Sequence, residues 1–375
     1  MRKLLFLVTE DWYFCSHRLQ LAREARQNGY SVVVATHVWE HGQRILDEGF
    51  KLIPLRMRRR SANPLKELST LAELIRIYRS ESPDVVHHVA VKPVVYGSIA
   101  ARLTRLPRVV NAITGTGYVF SSDRLVAKTL RPFIKLILRY LLNRRMTLTI
   151  FQNPDDRNML IRKGIVREKF TRIIRGSGVD TNKYLPVPEP NGITVITLAS
   201  RMLWDKGISE FVEAARMLKT EGMKARFVLV GGTDNDNFAS IPSTQLDQWN
   251  REGFVEWWGK RDDMPRIFAA SHLVCLPSAY GEGIPKVLIE AASCGRAVVT
   301  TDSPGCREIV RDGENGLLIP VRQAGELAGA IKKLIENPDL RRKMGSKGRE
   351  MVVNEFSIEK VVKETLSVYE ELFAQ

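Results

Sequence analysis

The sequence predicts an α/β protein of two Rossmann-like domains, each a parallel sheet with helices on both faces. Three observations point there. Short apolar runs alternate with helical patterns along the 375 residues, an order that produces parallel strands joined by crossover helices. The alternation stops at residues 181–192, which hold Pro186, Pro188, Pro190 and Asn191-Gly192, and then it restarts. Each half is also of ordinary domain size. The expected domains are 1–185, 186–355 and a C-terminal helix at 356–375 that packs back toward the first, with the two sheets facing an interdomain cleft.

In the first half, the apolar run at 4–8 is a strand, the helical pattern at 16–28 ends at Gly29, and 31–36 is the next strand. Strands follow at 84–88, 108–113 and 147–151, with helices at 65–79, 94–105 and 124–143 between them. Residues 181–192 read as a linker. Beyond it, strands at 193–199, 225–230, 273–276, 297–301 and 317–319 are interleaved with helices at 208–219 and 285–293. Helices at 325–336, 340–353 and 358–373 close the chain.

With 44% apolar and 26% charged residues the chain is a folded protein, not a disordered one. Cys15, Cys275, Cys294 and Cys306 are scattered without Cys-x-x-Cys spacing, which argues against a disulfide framework or a structural zinc. The start, Met1-Arg2-Lys3 and then five apolar residues, is too short for a signal-peptide core, so a cytoplasmic location is expected. Charge is uneven. Residues 1–190 carry 33 Lys and Arg against 16 Asp and Glu, while 191–375 carry 24 against 26, so the whole surplus of +15 sits in the first half. That half is suited to an anionic surface or ligand.

The segment from Pro277 through Tyr280-Gly281-Glu282-Gly283-Ile284-Pro285-Lys286 to Glu290 and Cys294-Gly295 puts one carboxylate in a glycine-bounded loop and another on the following helix. Glycines let a ligand approach the backbone, and Pro285 suits the first helical position. A diphosphate there meets first-turn N–H groups and the positive end of a helix dipole. The Glu-x7-Glu spacing alone has no weight, since it recurs at Glu40/Glu48, Glu73/Glu81 and Glu213/Glu221. The strand–loop–helix context is what separates Glu282 and Glu290. After the strand at 193–199, Ser200-Arg201-Met202-Leu203-Trp204-Asp205-Lys206-Gly207 places two cations five residues apart. Both can neutralise one departing diphosphate. Asp234-Asn235-Asp236 has the form of a metal site but follows Gly231-Gly232 in a polar turn, and is read as solvated.

Through Ser200-Arg201-x4-Lys206-Gly207, the Glu282–Glu290 segment and Asn315-Gly316-Leu317-Leu318-Ile319-Pro320, the second half resembles the family 4 retaining glycosyltransferases of GT-B architecture. The resemblance implies that Arg201 and Lys206 hold the donor diphosphate, that Glu282 with Gly283, Ile284, Pro285 and Lys286 holds sugar hydroxyls and phosphate, and that Glu290 binds the ribose. It implies Glu282, Arg201 and Lys206 as the catalytic set, a UDP-linked rather than GDP-linked donor, no metal and no further cofactor; the sugar is taken to be an N-acetylhexosamine, which the sequence does not itself specify. Lys92-Pro93-x-Val95-Tyr96-Gly97-Ser98 with Asn111-Ala112-Ile113-Thr114-Gly115-Thr116-Gly117-Tyr118 is similar to bacterial members that extend undecaprenyl-diphosphate-linked sugars in O-antigen and exopolysaccharide assembly. Two departures stand out. Glu10-Asp11-Trp12-Tyr13-Phe14 replaces the family's Gly-Gly, and Thr114 stands where an acceptor-side His is common. Candidates on the acceptor side are therefore His17, Arg18, Thr114 and Gly115.

Arg124, Lys128, Arg131, Lys135 and Arg139 recur at helical spacing and form one stripe, with Val126, Leu130, Phe133, Ile134, Ile137 and Leu141 turned the other way, toward a core. The stripe is expected to dock on an anionic membrane surface, placing the protein peripherally on the inner face of the membrane. A soluble acceptor is the nearer alternative. A nucleic-acid binder would also be basic, but no zinc module, helix-turn-helix pattern or basic–aromatic interleaving supports one.

Overall fold

The computed structural model describes residues 1–57, 64–115, 125–234, 236–279 and 281–374, with only the backbone described for Pro64 and for residues 125–131. The chain forms two compact units. One is Met1–Ser177 with Glu359–Gln375, the other Gly178–Ile358.

In the first unit, β1 (Arg2–Glu10), β2 (Tyr30–His37), β3 (Lys51–Pro54), β4 (Val85–Val89), β5 (Arg108–Ile113), β6 (Thr147–Phe151) and β7 (Thr171–Ile173) form one parallel sheet in the order β3-β2-β1-β4-β5-β6-β7. Leu4 to Val8 of β1 are all at most 1% exposed, as expected for a strand covered on both faces. The helical pattern near 16–28 divides at Arg18 into α1 (Asp11–His17) and α2 (Leu19–Gln27). The remaining crossovers are α3 (Gly42–Asp47), α4 (Pro64–Glu81), α5 (Val91–Leu103), α6 (Leu125–Leu142) and α7 (Pro154–Arg162). The α7 start is well specified: Pro154 opens it, and the Asn153 side chain accepts from the Asp156 N–H at 2.8 Å.

The second unit holds β8 (Thr194–Ala199), α8 (Ile208–Thr220), β9 (Ala225–Val230), α9 (Ser243–Arg251), β10 (Glu256–Trp257), α10 (Met264–Ala269), β11 (Leu273–Leu276), α11 (Lys286–Ser293), β12 (Ala297–Thr301), β13 (Gly316–Ile319), α12 (Ala324–Glu336) and α13 (Pro338–Glu355). Its sheet runs β10-β9-β8-β11-β12-β13. One face packs around Phe211 and Phe227, with rings 5.7 Å apart, and the other around Phe268, Leu288 and Val352. In both units the strand order reverses beside the first strand, at β1/β4 and at β8/β11. Such a reversal opens a crevice at the carboxyl ends of the strands, where ligands of this fold class sit.

Two expectations change. Residues 181–192 are no loose linker but a strap on the second unit. The Ser293 hydroxyl donates to Tyr184 O at 2.8 Å, Arg296 donates to Val187 O at 3.0 Å, His272 donates to Pro190 O at 2.9 Å, and Arg341 forks onto Glu189 at 2.9 and 2.7 Å. Composition signalled a break in periodicity, and packing turned it into a fixed segment. Second, Pro285 precedes α11 as its cap residue instead of opening it.

The last helix, α14 (Ile358–Ala374), packs on the first unit. Buried Tyr369 hydrogen-bonds His87 Nδ1 at 2.6 Å, Glu370 accepts from Arg2 at 2.8 Å and from the Tyr30 hydroxyl at 2.7 Å, and Arg108 donates to Leu372 O at 3.0 Å. Among the described residues no helix is long and apolar enough to cross a membrane.

Candidate functional site

Two loops meet at the carboxyl edge of the second sheet, one leaving β8 and the other leaving β11, on either side of the strand-order reversal. After β8 the chain makes a short turn at Trp204–Lys206 and enters α8 through Gly207 in the left-handed conformation, φ +74°. A Cβ on Gly207 would lie 2.1 Å from Pro277 O, so only glycine lets the two loops touch. Ala279 N–H donates to Asp205 O at 3.0 Å. Behind them Gly305 abuts the other side, where an added Cβ would stand 2.1 Å from Gly283 O.

These contacts bring Lys206 and Glu282 together. Nζ lies 2.5 Å from Oε1, and the side chains are only 14% and 16% exposed. The Ser278 hydroxyl lies 2.9 Å from Glu282 Oε1 and 3.2 Å from Asp205 O, and its single proton serves one at a time. Arg201, on the same loop, is 39% exposed and pairs with Asp234 from the loop after β9. Glu290, on α11, is 8% exposed, with Lys286 Nζ at 3.6 Å one turn earlier. Burial raises its carboxyl above the ordinary range, opposed by Lys286, the Tyr184 hydroxyl and Lys183. Gly283, Ile284 and Pro285 form the approach from Glu282 to the helix start. The arrangement offers two cations, one bidentate and one compact, and two carboxylates that can accept hydroxyl groups, which is the donor and acceptor set of a sugar diphosphate.

Some contributors were not legible in the sequence. The sequence makes Asp234 a solvated turn residue, yet it is the counter-ion of Arg201. The adjacency of β9 and β8 is the only signal that could have found it. Lys183 and Tyr184 reach Glu290 from the strap, which no local pattern indicates.

In the first unit the acceptor-side candidates do not form one cluster. His17 stacks on Tyr13 (centroids 4.1 Å apart, planes 3°) with Nδ1 2.6 Å from the Ser16 hydroxyl. Arg18 is buried, its Nε without a hydrogen-bond partner. Its charge acts on buried His87, whose imidazole is held well below its ordinary range, chiefly by burial. Thr114 and Gly115 follow β5, separated from the β1 loop by β4.

Of the stripe, Arg124 lies outside the described residues, as do the side chains of Lys128 and Arg131, while Lys135 and Arg139 are exposed. The apolar side of α6 needs correction. Leu138, Leu141 and Leu142 are buried, but Phe133 is 69% exposed and Ile137 40%, together with Leu136 and Tyr140. At about 100° per residue these four share an arc of roughly 100° apart from the buried one. Among its described side chains α6 has two apolar sides, one facing the core and one exposed.

Comparison with known proteins gives two family models. "Glycosyl transferase 4-like" matches residues 3–153 and "Glycosyl transferases group 1" matches residues 186–351. The chain is similar to the N,N'-diacetylbacillosaminyl-diphospho-undecaprenol alpha-1,3-N-acetylgalactosaminyltransferase of Campylobacter jejuni, 28% identical over 86% of this chain and 87% of that one. It is also similar to the UDP-Gal:alpha-D-GlcNAc-diphosphoundecaprenol alpha-1,3-galactosyltransferase of Escherichia coli, 26% identical over 83% of this chain and 81% of that one, and to the capsular polysaccharide biosynthesis glycosyltransferase CapM of Staphylococcus aureus, 25% identical over 81% of this chain and 80% of that one. Among solved structures, Anabaena HepE in complex with UDP superposes with a TM-score of 0.80 at 20% identity, covering 99% of this chain and 100% of that one. With both domain models matched in order and the two parallel-sheet units in place, the chain belongs to the family 4 glycosyltransferases of GT-B architecture.

Proposed function

We propose that this glycosyltransferase is a retaining enzyme that moves a sugar, an N-acetylhexosamine, from a UDP-linked donor to a saccharide carried on undecaprenyl diphosphate, at the inner face of the membrane in surface-polysaccharide assembly. The observation that carries the proposal is the Lys206–Glu282 pair at the β8/β11 reversal, with Arg201 on the same loop. Arg201 and Lys206 take the diphosphate, Glu282 and the backbone of Gly283 to Lys286 take sugar hydroxyls and phosphate, and Glu290 takes the ribose. The acceptor hydroxyl attacks on the face the nucleotide leaves, and a donor phosphate oxygen receives its proton. No enzymic nucleophile, metal or cofactor is required in this scheme; the protein positions the reactants and stabilises the leaving diphosphate. Glu282 and Glu290 are not a hydrolase pair, which would flank one glycosidic bond. The names of the Campylobacter and Escherichia coli relatives support the lipid-linked acceptor. Saturable UDP binding by calorimetry tests the donor side: it should be lost in Glu290→Ala, and unchanged affinity would contradict the assignment.

The exposed arc of α6 supports the membrane contact. Phe133, Leu136, Ile137 and Tyr140 provide an apolar face beside Lys135 and Arg139, the composition of an interfacial helix. Burying each of Phe133, Leu136 and Ile137 in the acyl boundary is worth at least ~1 kcal/mol, so replacing all three by Ser should weaken partition onto anionic vesicles by roughly a hundredfold. Unaltered partition would remove the membrane from the proposal.

A further inference from the structure

The carboxyl edge of the first sheet carries a second constellation beside its own strand-order reversal. The loops leaving β1 and β2 are tied together by Asp11, which is fully buried. Its Oδ1 accepts from Trp12 N–H at 2.7 Å, and its Oδ2 accepts from Trp39 N–H at 2.7 Å and His41 N–H at 2.9 Å. Three backbone donors on one buried carboxylate hold both loops in a single arrangement. The lacing fixes the turn at Glu10-Asp11-Trp12, the segment that replaces the family's Gly-Gly.

What the lacing presents is an indole. Trp39 is 53% exposed, a large ring with about half of its surface in water. It is also oriented: Nε1–H donates to Glu10 Oε2 at 2.8 Å, and the His37 ring meets it edge-on with centroids 4.9 Å apart. His37 Nδ1–H donates to Leu55 O at 2.9 Å, which in the neutral ring leaves Nε2 as an acceptor. An exposed aromatic face with a carboxylate and an imidazole acceptor beside it matches a pyranose ring. The sugar's C–H face covers the indole, and its hydroxyls donate to the flanking acceptors.

We propose that Trp39, with Glu10 and His37 at its edge, is the platform on which a saccharide ring of the acceptor stacks. The assignment rests on the acceptor being a saccharide, as proposed above, and makes Trp39 a binding residue and Asp11 a positioning one. Two measurements keep the platform and the wider function separable. Binding of methyl glycosides of N-acetylglucosamine and N-acetylgalactosamine to the whole protein is followed as the heat change in isothermal titration calorimetry, without donor. A saturable change in the wild type that disappears in Trp39→Ala and persists with at most threefold weaker binding in a Trp39→Tyr ring-retaining variant supports the platform. Either no saturable change in the wild type or an equal change in Trp39→Ala overturns it.

In the transfer reaction, an undecaprenyl-diphosphate-linked N-acetylhexosamine should show a KM at least tenfold higher in Trp39→Ala, with UDP affinity unchanged. Glu10→Gln should raise the same KM about threefold or more. Unchanged acceptor KM in both variants likewise overturns the proposal. Saturable glycoside binding that depends on Trp39, together with no transfer by the wild type, would leave the platform standing and remove the lipid-linked reaction.

Discussion

Replacing Lys206 by Met tests the centre of the donor site, because it separates what the Lys206–Glu282 pair does for folding from what Lys206 does for chemistry. The two side chains are about one-seventh exposed and 2.5 Å apart. Removing the cation leaves Glu282 with the Ser278 hydroxyl as its nearest remaining partner of those described above. Breaking a fully buried pair costs about 3–5 kcal/mol, and the residual exposure reduces this to ~2–3 kcal/mol. For a unit of this size that lowers the melting temperature by roughly 5–10 °C. Lys206→Met with Glu282→Gln removes the carboxylate charge as well and should recover most of that loss. Turnover should not recover. A cation lost from a departing diphosphate costs about 10²–10³ in kcat, and the double variant lacks it too. Calorimetric melting of both single variants and the double one, with turnover measured on each, gives both cycles. A double variant as unstable as Lys206→Met would show that the two groups are not coupled. Turnover of Lys206→Met within threefold of wild type would show that Lys206 does not stabilise the leaving group.

Glu290 gives a pH prediction. Burial raises its carboxyl above the ordinary range, so the folded state favours the protonated form. The stability this group contributes is then fully present below the unfolded-state value and lost as pH rises through the raised one. Glu290→Gln should flatten that decline and raise the melting temperature at neutral pH, while weakening UDP binding about 10–100-fold through loss of a charged hydrogen bond; a variant less stable at pH 7 would contradict the sign. Gly207→Ala combines a left-handed backbone with a Cβ 2.1 Å from Pro277 O. It should cost at least ~2 kcal/mol in urea unfolding and more than tenfold in UDP affinity, because the two loops must separate. Tyr369→Ala empties a fully buried site on the first unit and strips His87 of its 2.6 Å partner. Urea titration should show a loss of about 3–5 kcal/mol, against ~1–2 kcal/mol for Tyr369→Phe.

The parallel α/β class was legible because strands such as β1 and β8 are mostly apolar, with an unbroken apolar run from Leu4 to Val8 in β1, as double-sided burial requires, and helices of ordinary length separate them. Short edge strands such as β3 and β10 left no such run, since Lys51–Pro54 and Glu256–Trp257 are only partly buried. Strand context placed Lys206 and Glu282 at the same sheet edge, but their pairing is visible only in the structure. Nor was the pairing of Arg201 with Asp234 legible, because it depends on β9 lying beside β8, a property of sheet order rather than of neighbours in sequence. Periodicity showed that α6 is amphipathic but could not say which apolar arc meets the core. Phe133 and Leu138 look alike in a pattern, and only packing leaves the first exposed at 69% and the second at 1%. The strap at 181–192 shows the same limit, since prolines marked the end of one pattern without revealing that Arg296, His272 and Arg341 fasten it down.

The most direct measurement is the mass of an undecaprenyl-diphosphate-linked saccharide incubated with the purified protein and a panel of nucleotide sugars. An increase by one sugar residue, with one UDP-sugar strongly preferred and the product carrying the α-linkage of the donor, is the expected result. Donor hydrolysis with no growth of the acceptor across the panel would contradict the account.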